Sequence, residues 1–276
     1  MNYQHAFHAG NFADLFKHAV LLALLAELTG QTRPFIAIDS HAGSGVYDLE
    51  GEAARRTGEG AAALELMNAT GAPDALEPLR QAIGRLNRGR NVRFYPGSPW
   101  LIGETLRKDD RALACELRPD AARELAGALA PFRRLEIATG DGWAVTVRRA
   151  PASPAALLVL IDPPFEAGGD GARAAEAMGR VLSRNREAMV AVWAPIKDLA
   201  SFDALCSDLE DAAAGRPMLV AELRLRALHD PMRLNGCAMV VANPPGSLAG
   251  AAREAGDWIV STLGEPGGRI EIRELA

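Results

Sequence analysis

Cysteine is scarce in this chain. The 276 residues carry Cys115, Cys206 and Cys237 and no others, spaced too widely for a disulfide framework or a C-x-x-C zinc site. Lysine is equally sparse: Lys17, Lys108 and Lys197 are the full set, so positive charge rests almost wholly on arginine. Arginine suits bidentate phosphate contacts, but the same bias follows from an alanine-rich composition, and charge alone does not name a partner. The longest unbroken apolar run, 19–26, falls far short of the ~18 residues that span a bilayer. The opening Met1-Asn2-Tyr3-Gln4-His5 lacks the basic-then-apolar layout of a secretory signal. A cytoplasmic protein with no membrane association is expected. A net charge of −5 argues against coating nucleic acid by charge alone, though not against a local basic surface. With 49% apolar and 24% charged residues, the chain is neither disordered, collagen-like nor coiled-coil.

What is present alternates. After Asn11, a helix cap, 13–28 reads as an almost wholly apolar helix ended near Gly30. A strand at 34–39 without polar alternation, as expected of one covered on both faces, runs into Ser40-His41-Ala42-Gly43-Ser44-Gly45. From 49 to 93 the pattern changes to two short amphipathic helices, 61–69 and 74–86, with no strand between them. Strands then follow at 111–117, 135–139, 156–162, 188–193, 218–225 and 237–242, with helices at 119–130, 172–185, 199–214 and 247–263, and a terminal β segment at 269–273. Parallel strands need crossover helices, so the expectation is a mostly parallel, seven-stranded sheet. Its last two strands follow one another without a helix, which predicts an antiparallel edge strand. The whole chain, 1–276, reads as a single domain with a helical insertion at 49–93. This is the outline of the Rossmann-like methyltransferases.

Ligands of open α/β sheets bind beyond the carboxyl ends of the strands, and the polar residues there carry the chemistry. Asp39-x-x-x-Gly43-x-Gly45 lets backbone approach a ligand closely. It fails as a dinucleotide fingerprint because Asp48 stands where a glycine is required, and it matches the shorter loop used for S-adenosylmethionine. Glu116 ends the next strand, where an acid commonly accepts from ribose hydroxyls; it is equally read as a solvated acid starting a helix. Asp141-Gly142 either receives a cofactor's adenine amino group or is only a turn. In Tyr95-Pro-Gly-Ser98-Pro99, Ser98 is placed to cap the following helix.

The most specific strand end is Leu158-Val-Leu-Ile-Asp162-Pro163-Pro164-Phe165. Two prolines force an extended, rigid turn and remove two amide donors. Asp162 and a nearby carbonyl can then face a substrate, with Phe165 as a stacking plate. That suits an exocyclic amino group on a base extruded from its stack. Asn243-Pro244-Pro245-Gly246 looks related but lacks the aromatic, and it ends the reversed strand, so it reads as a turn. His5-x-x-His8 lacks further ligands at a known zinc spacing, and no metal is expected.

Collected together, these segments resemble the bacterial 23S rRNA adenine-N6 methyltransferase J family, RlmJ. The likeness includes Tyr3-Gln-His5-Ala-Phe7-His8-Ala-Gly-Asn11-Phe-Ala-Asp14 with Lys17-His18, then Asp39 to Tyr47, Arg56-Thr-Gly-Glu59, Tyr95 to Pro99, Glu116 to Pro119, Asp141-Gly142, Ile161 to Phe165 and Trp193-Ala-Pro195. It implies S-adenosylmethionine contacts by His18, His41, Gly43, Ser98, Glu116, Asp141 and Gly142, with Asp162 as the acceptor at the reacting nitrogen beside Pro163 and Phe165. It also implies that Tyr3, together with Lys17, meets the RNA. Phe165 stands where the family often has tyrosine, which removes a hydroxyl and keeps the stacking face. The implied partner is 23S rRNA, naked or partly assembled, with no obligate protein partner. Arg80, Arg85, Arg88, Arg90 and Arg93 suggest that the insertion helps hold it. The rival readings are the same chemistry on DNA adenine or on a protein glutamine, and a catalytically silent RNA-binding module on the same scaffold.

Overall fold

The computed structural model describes residues 9–52, 54, 58–89, 91–166, 168–228 and 233–275. Helix α1 (Phe12–Gly30) begins at Asn11, whose side chain accepts from the amides of Ala13 and Asp14. It is buried along nearly its whole length, which is why apolar residues occupy every face of it.

The main sheet is built from β1 (Phe35–Asp39), β4 (Arg111–Glu116), β5 (Leu135–Thr139), β6 (Ala156–Ile161), β7 (Met189–Ile196), β8 (Met218–Arg224), β9 (Gly236–Ala242) and β10 (Arg269–Leu275), in the order β10-β8-β9-β7-β6-β1-β4-β5. The run from β7 through β6, β1 and β4 to β5 is parallel. In β6, Leu158 and Leu160 enter one core while Leu157, Val159 and Ile161 enter the other, the two-residue period of a strand covered on both faces. Helices α1, α4 (Ser98–Thr105), α5 (Pro119–Ala128) and α9 (Leu248–Leu263) cover the first face. Helices α6 (Gly142–Arg149), α7 (Asp170–Arg184) and α8 (Leu199–Ala213) cover the second.

The class is as expected, a large mostly parallel α/β sheet, but two details differ. The sheet has eight strands rather than seven. The reversed strand expected at the edge, β9, lies inside, antiparallel to both β7 and β8. A strand that follows its neighbour without a crossover helix must run against it, and β8 docks one place beyond β7, leaving a slot that β9 fills. Every β9 residue is buried. The C-terminal segment takes the edge instead, pairing antiparallel with β8 from Arg269↔Arg224 to Leu275↔Met218. Its half-exposed alternation, Arg-Ile-Glu-Ile-Arg, is what an edge requires.

The insertion contains α2 (Glu59–Thr70) and α3 (Glu77–Leu86) and is entered and left through a short antiparallel ribbon, β2 (Val46–Asp48) with β3 (Phe94–Pro96). The helices lie where the sequence pattern predicts them; the ribbon is an addition to it. Leu64, Met67, Leu79 and Ile83 join the same core cluster as α1, so α2 and α3 pack onto that core rather than around one of their own. The Asn243 turn sits at the amino end of β7, its amide donating to the carbonyls of Arg186 and Ala188 at 3.0 and 2.8 Å. It is thus at the edge opposite the Asp162 turn, as expected of a strand terminator.

Candidate active site

Five parallel strands deliver their carboxyl ends to one edge, and the chain reverses direction across the sheet between β5 and β6. Ligands of such sheets bind beside that reversal, in the crevice between β1 and β6. Asp39 ends β1 and Asp162 follows β6.

The centre of the crevice is an ion-paired cluster. Lys17 Nζ lies 2.7 Å from Asp162 Oδ2 and 2.8 Å from Asp14 Oδ1, with its side chain 5% exposed. Burial pulls the pKa of this amine down, yet the two carboxylates outweigh it and hold it well above the ordinary value. Asp14 Oδ2 accepts the Gly10 amide at 2.9 Å, so the pair is fixed to the start of α1. Asp39 is fully buried, accepting the Ser98 hydroxyl at 2.6 Å and the His41 amide at 3.2 Å. Burial raises its pKa to about 6 despite the Ser98 bond, with the charge of Asp162 adding to the rise. Ser98 therefore does not cap α4. Gly97 is the cap and Ser98 the first helical residue, its hydroxyl donating to Asp39 instead.

A second group lies around the tips of β4 and β5. Glu116 accepts the Gly43 amide at 2.9 Å through Oε2 and the Arg118 amide at 2.8 Å through Oε1. Gly43 has φ +62°, which glycine adopts freely. Asp141 caps α6, accepting the Trp143 amide at 3.0 Å, and turns its other oxygen to Arg173 at 3.1 Å. The turn at Asp141-Gly142 is thus the start of a helix that the sequence pattern does not announce. A Cβ on Gly142 would stand 1.8 Å from the Ser40 carbonyl, so only glycine lets the β1 and β5 loops meet here. His41 packs edge-on against Trp143 at 4.6 Å and shares a hydrogen bond with the Ser40 hydroxyl at 2.7 Å. Burial lowers its pKa to about 4, so the ring is neutral at physiological pH.

The Asp162-Pro-Pro-Phe165 turn presents Phe165 half-buried, at φ +50°. For a bulky residue this backbone costs about 1–2 kcal/mol. Its ring lies 6.1 Å from that of Trp193 on β7, the planes at 58°.

The structure therefore gathers Lys17, Asp162, Pro163, Phe165, His41, Gly43, Ser98, Glu116, Asp141 and Gly142 on one edge. His18 is 1% exposed beneath them, sharing a 2.8 Å hydrogen bond and stacking with Tyr95. Lys17 lies buried on Asp162. Tyr3, His5 and His8 lie outside the described residues. Of the insertion arginines, Arg80 pairs with Glu77, Arg85 with Glu104 and Arg93 with Asp48; Arg90 lies outside the described residues. The sequence marks Asp39 only as the acid opening the glycine loop and Trp193 only as part of the family likeness, and it does not single out Trp143 or Arg173. Asp39 carried the same signal as Asp162, an acid ending an apolar strand.

Chemically, the edge is rich in carboxylates, its one buried lysine is committed to two of them, and its histidine is neutral. It suits a ligand bearing positive charge and hydroxyl or amino donors.

A family model described as "Ribosomal RNA large subunit methyltransferase D, RlmJ" matches residues 32–274. Ribosomal RNA large subunit methyltransferase J of Escherichia coli is 30% identical over 95% of this chain and 94% of its own length. The Haemophilus influenzae protein of the same name is 31% identical over the same shares. A crystal structure of a Legionella pneumophila protein superposes with a TM-score of 0.88 at 24% identity, covering 96% of this chain and 98% of that one.

Proposed function

The chain belongs to the RlmJ family of ribosomal RNA large subunit methyltransferases, and from that premise we propose that it moves a methyl group from S-adenosylmethionine to N6 of an adenine in 23S rRNA. The observation that carries the reading is the Asp162 carboxylate, held 2.7 Å from Lys17 at the end of an apolar strand and followed by two prolines and an aromatic plate.

The cofactor supplies an electrophilic sulfonium methyl when bound. The residues present fit it. Glu116, its carboxylate oriented by two backbone amides, is set to accept from the ribose diol. The exposed Asp141 carboxylate is set to accept the adenine amino group. The Gly43 and Gly142 turns let main chain approach. The neutral His41 and the surrounding acids favour a cationic guest over an anionic one.

The amino nitrogen of adenine is a poor nucleophile because its lone pair is delocalised into the ring. Asp162 accepts one amino N–H and the carbonyl of Pro163 accepts the other, which favours the pyramidal, reactive nitrogen. Lys17 donates to Asp162 Oδ2 at 2.7 Å and holds the carboxylate in place. Phe165 stacks on the extruded base and sets the angle of approach, so positioning supplies much of the acceleration. Tyr3 and the insertion arginines hold RNA around that base. Donor and substrate both place the reaction in the cytoplasm, and among the described residues no helix is long and apolar enough to cross a membrane.

The direct test is transfer of a labelled methyl group to stripped 23S rRNA, to assembled large subunits and to duplex DNA, followed by nucleoside analysis. N6-methyladenosine in the stripped rRNA is expected. Label confined to DNA, or to a nucleoside other than N6-methyladenosine, overturns the reading.

A further inference from the structure

The geometry points to Trp193 as the residue that positions Phe165 for the base, an inference that deepens the adenine reading above and rests on it. Phe165 occupies left-handed backbone at φ +50°, where a large side chain is an outlier unless its surroundings impose it. Pro163 and Pro164 restrict the approach to that residue and offer no amide hydrogen bonds to fix it. The ring packs against the second core, and the aromatic side chain beside it is Trp193, with centroids 6.1 Å apart and planes at 58°, within the range of tilted aromatic attraction.

Trp193 is itself rigidly held. It sits in β7 opposite Met239 of β9, between the fully buried Val192 and Ala194. Its indole Nε1 is buried beside the Cys237 thiol. A central strand thus fixes the indole, and the indole braces the plate at the end of the proline turn.

The tilt excludes another arrangement. A flat base sandwiched between two rings needs them parallel, and these are not. The base is therefore assigned to Phe165 alone, and Trp193 acts as a buttress for that plate. It is a positioning residue that acts through Phe165.

Two measurements test this. In single-turnover transfer to 23S rRNA, Trp193→Ala is expected to slow methylation at least about tenfold, with S-adenosylmethionine affinity within about twofold of the parent. Trp193→Phe restores most of the rate. In a Phe165→Ala background, Trp193→Ala adds little further loss, because the residue it acts through is gone. Full activity in Trp193→Ala, no rescue by phenylalanine, or losses that simply multiply would each overturn the assignment. Separately, NMR of the protein labelled at phenylalanine follows the Phe165 Cα shift, which reports φ. The left-handed signature is expected in the parent and lost in Trp193→Ala, and its persistence would overturn the buttress. The NMR arm needs no substrate, so if the parent methylates no adenine, the adenine reading falls and the buttress is still decided.

Discussion

At the scale of the residue, the proposed chemistry turns on how Asp162 is held. Its carboxylate shares Lys17 with Asp14 in a site almost closed to water, so both members of the pair have a distinct expected phenotype. Asp162→Ala abolishes turnover while S-adenosylmethionine affinity, measured by calorimetry, falls only modestly; full activity would refute the role. Lys17→Met leaves two carboxylates facing one another without a cation. Breaking a buried pair costs about 3–5 kcal/mol, so this variant is expected to lose stability as well as activity in thermal melts. His41 gives a pH signature. Its pKa is near 6.5 in the unfolded chain and about 4 in the folded one. Between those values the unfolded chain binds more protons, so this residue's contribution is present above about pH 6.5 and is lost as the pH falls towards 4. His41→Gln should therefore lose less melting temperature than the parent between pH 7 and pH 4. An equal or steeper fall would contradict the burial of a neutral ring.

Among the elements, the strand ends do the positioning and the loops between them do the selecting. Gly142 shows how tight this is, since a Cβ there would enter the Ser40 carbonyl. Overpacking of this kind costs typically about 1–3 kcal/mol, so Gly142→Ala is expected to weaken S-adenosylmethionine binding about tenfold or more, and unchanged affinity would show that the β1 and β5 loops can part freely. The parallel strands were legible because each is an apolar run ending in an acid or a turn. Helix α6 was not, because Asp141-Gly142 satisfies a turn and a helix cap equally well, and the choice is made by Trp143 packing on His41. The interior place of β9 differs from the expected edge although its seven residues are all apolar or small, a composition that fits an interior strand better. The β2 and β3 ribbon is too short for periodicity to reveal, and only its pairing defines it.

Taken as a whole molecule, the chain combines a net charge of −5 with a substrate that is a polyanion, so binding must come from local positive surface. The insertion arginines are the proposed source, although Arg80, Arg85 and Arg93 are each engaged by an acid in the free protein. Reversing Arg85 and Arg88 together is expected to weaken rRNA binding and to make its salt dependence shallower, by about one in slope for each phosphate left without its arginine; unchanged binding would move the RNA surface elsewhere. The gathering of Lys17, Asp39, Ser98, Glu116 and Asp162 on one edge could not be read from composition, because residues up to 145 positions apart meet there, and it was legible only through the strand-end rule and the family resemblance. The central claim is that this edge methylates one adenine of 23S rRNA through Asp162. It is tested most directly by mass-spectrometric mapping of 23S rRNA from cells lacking this protein, with the parent or the Asp162→Ala gene returned. One N6-methyladenosine should vanish on deletion, reappear with the parent and stay absent with the variant. An unchanged map on deletion, or restoration by Asp162→Ala, would contradict it.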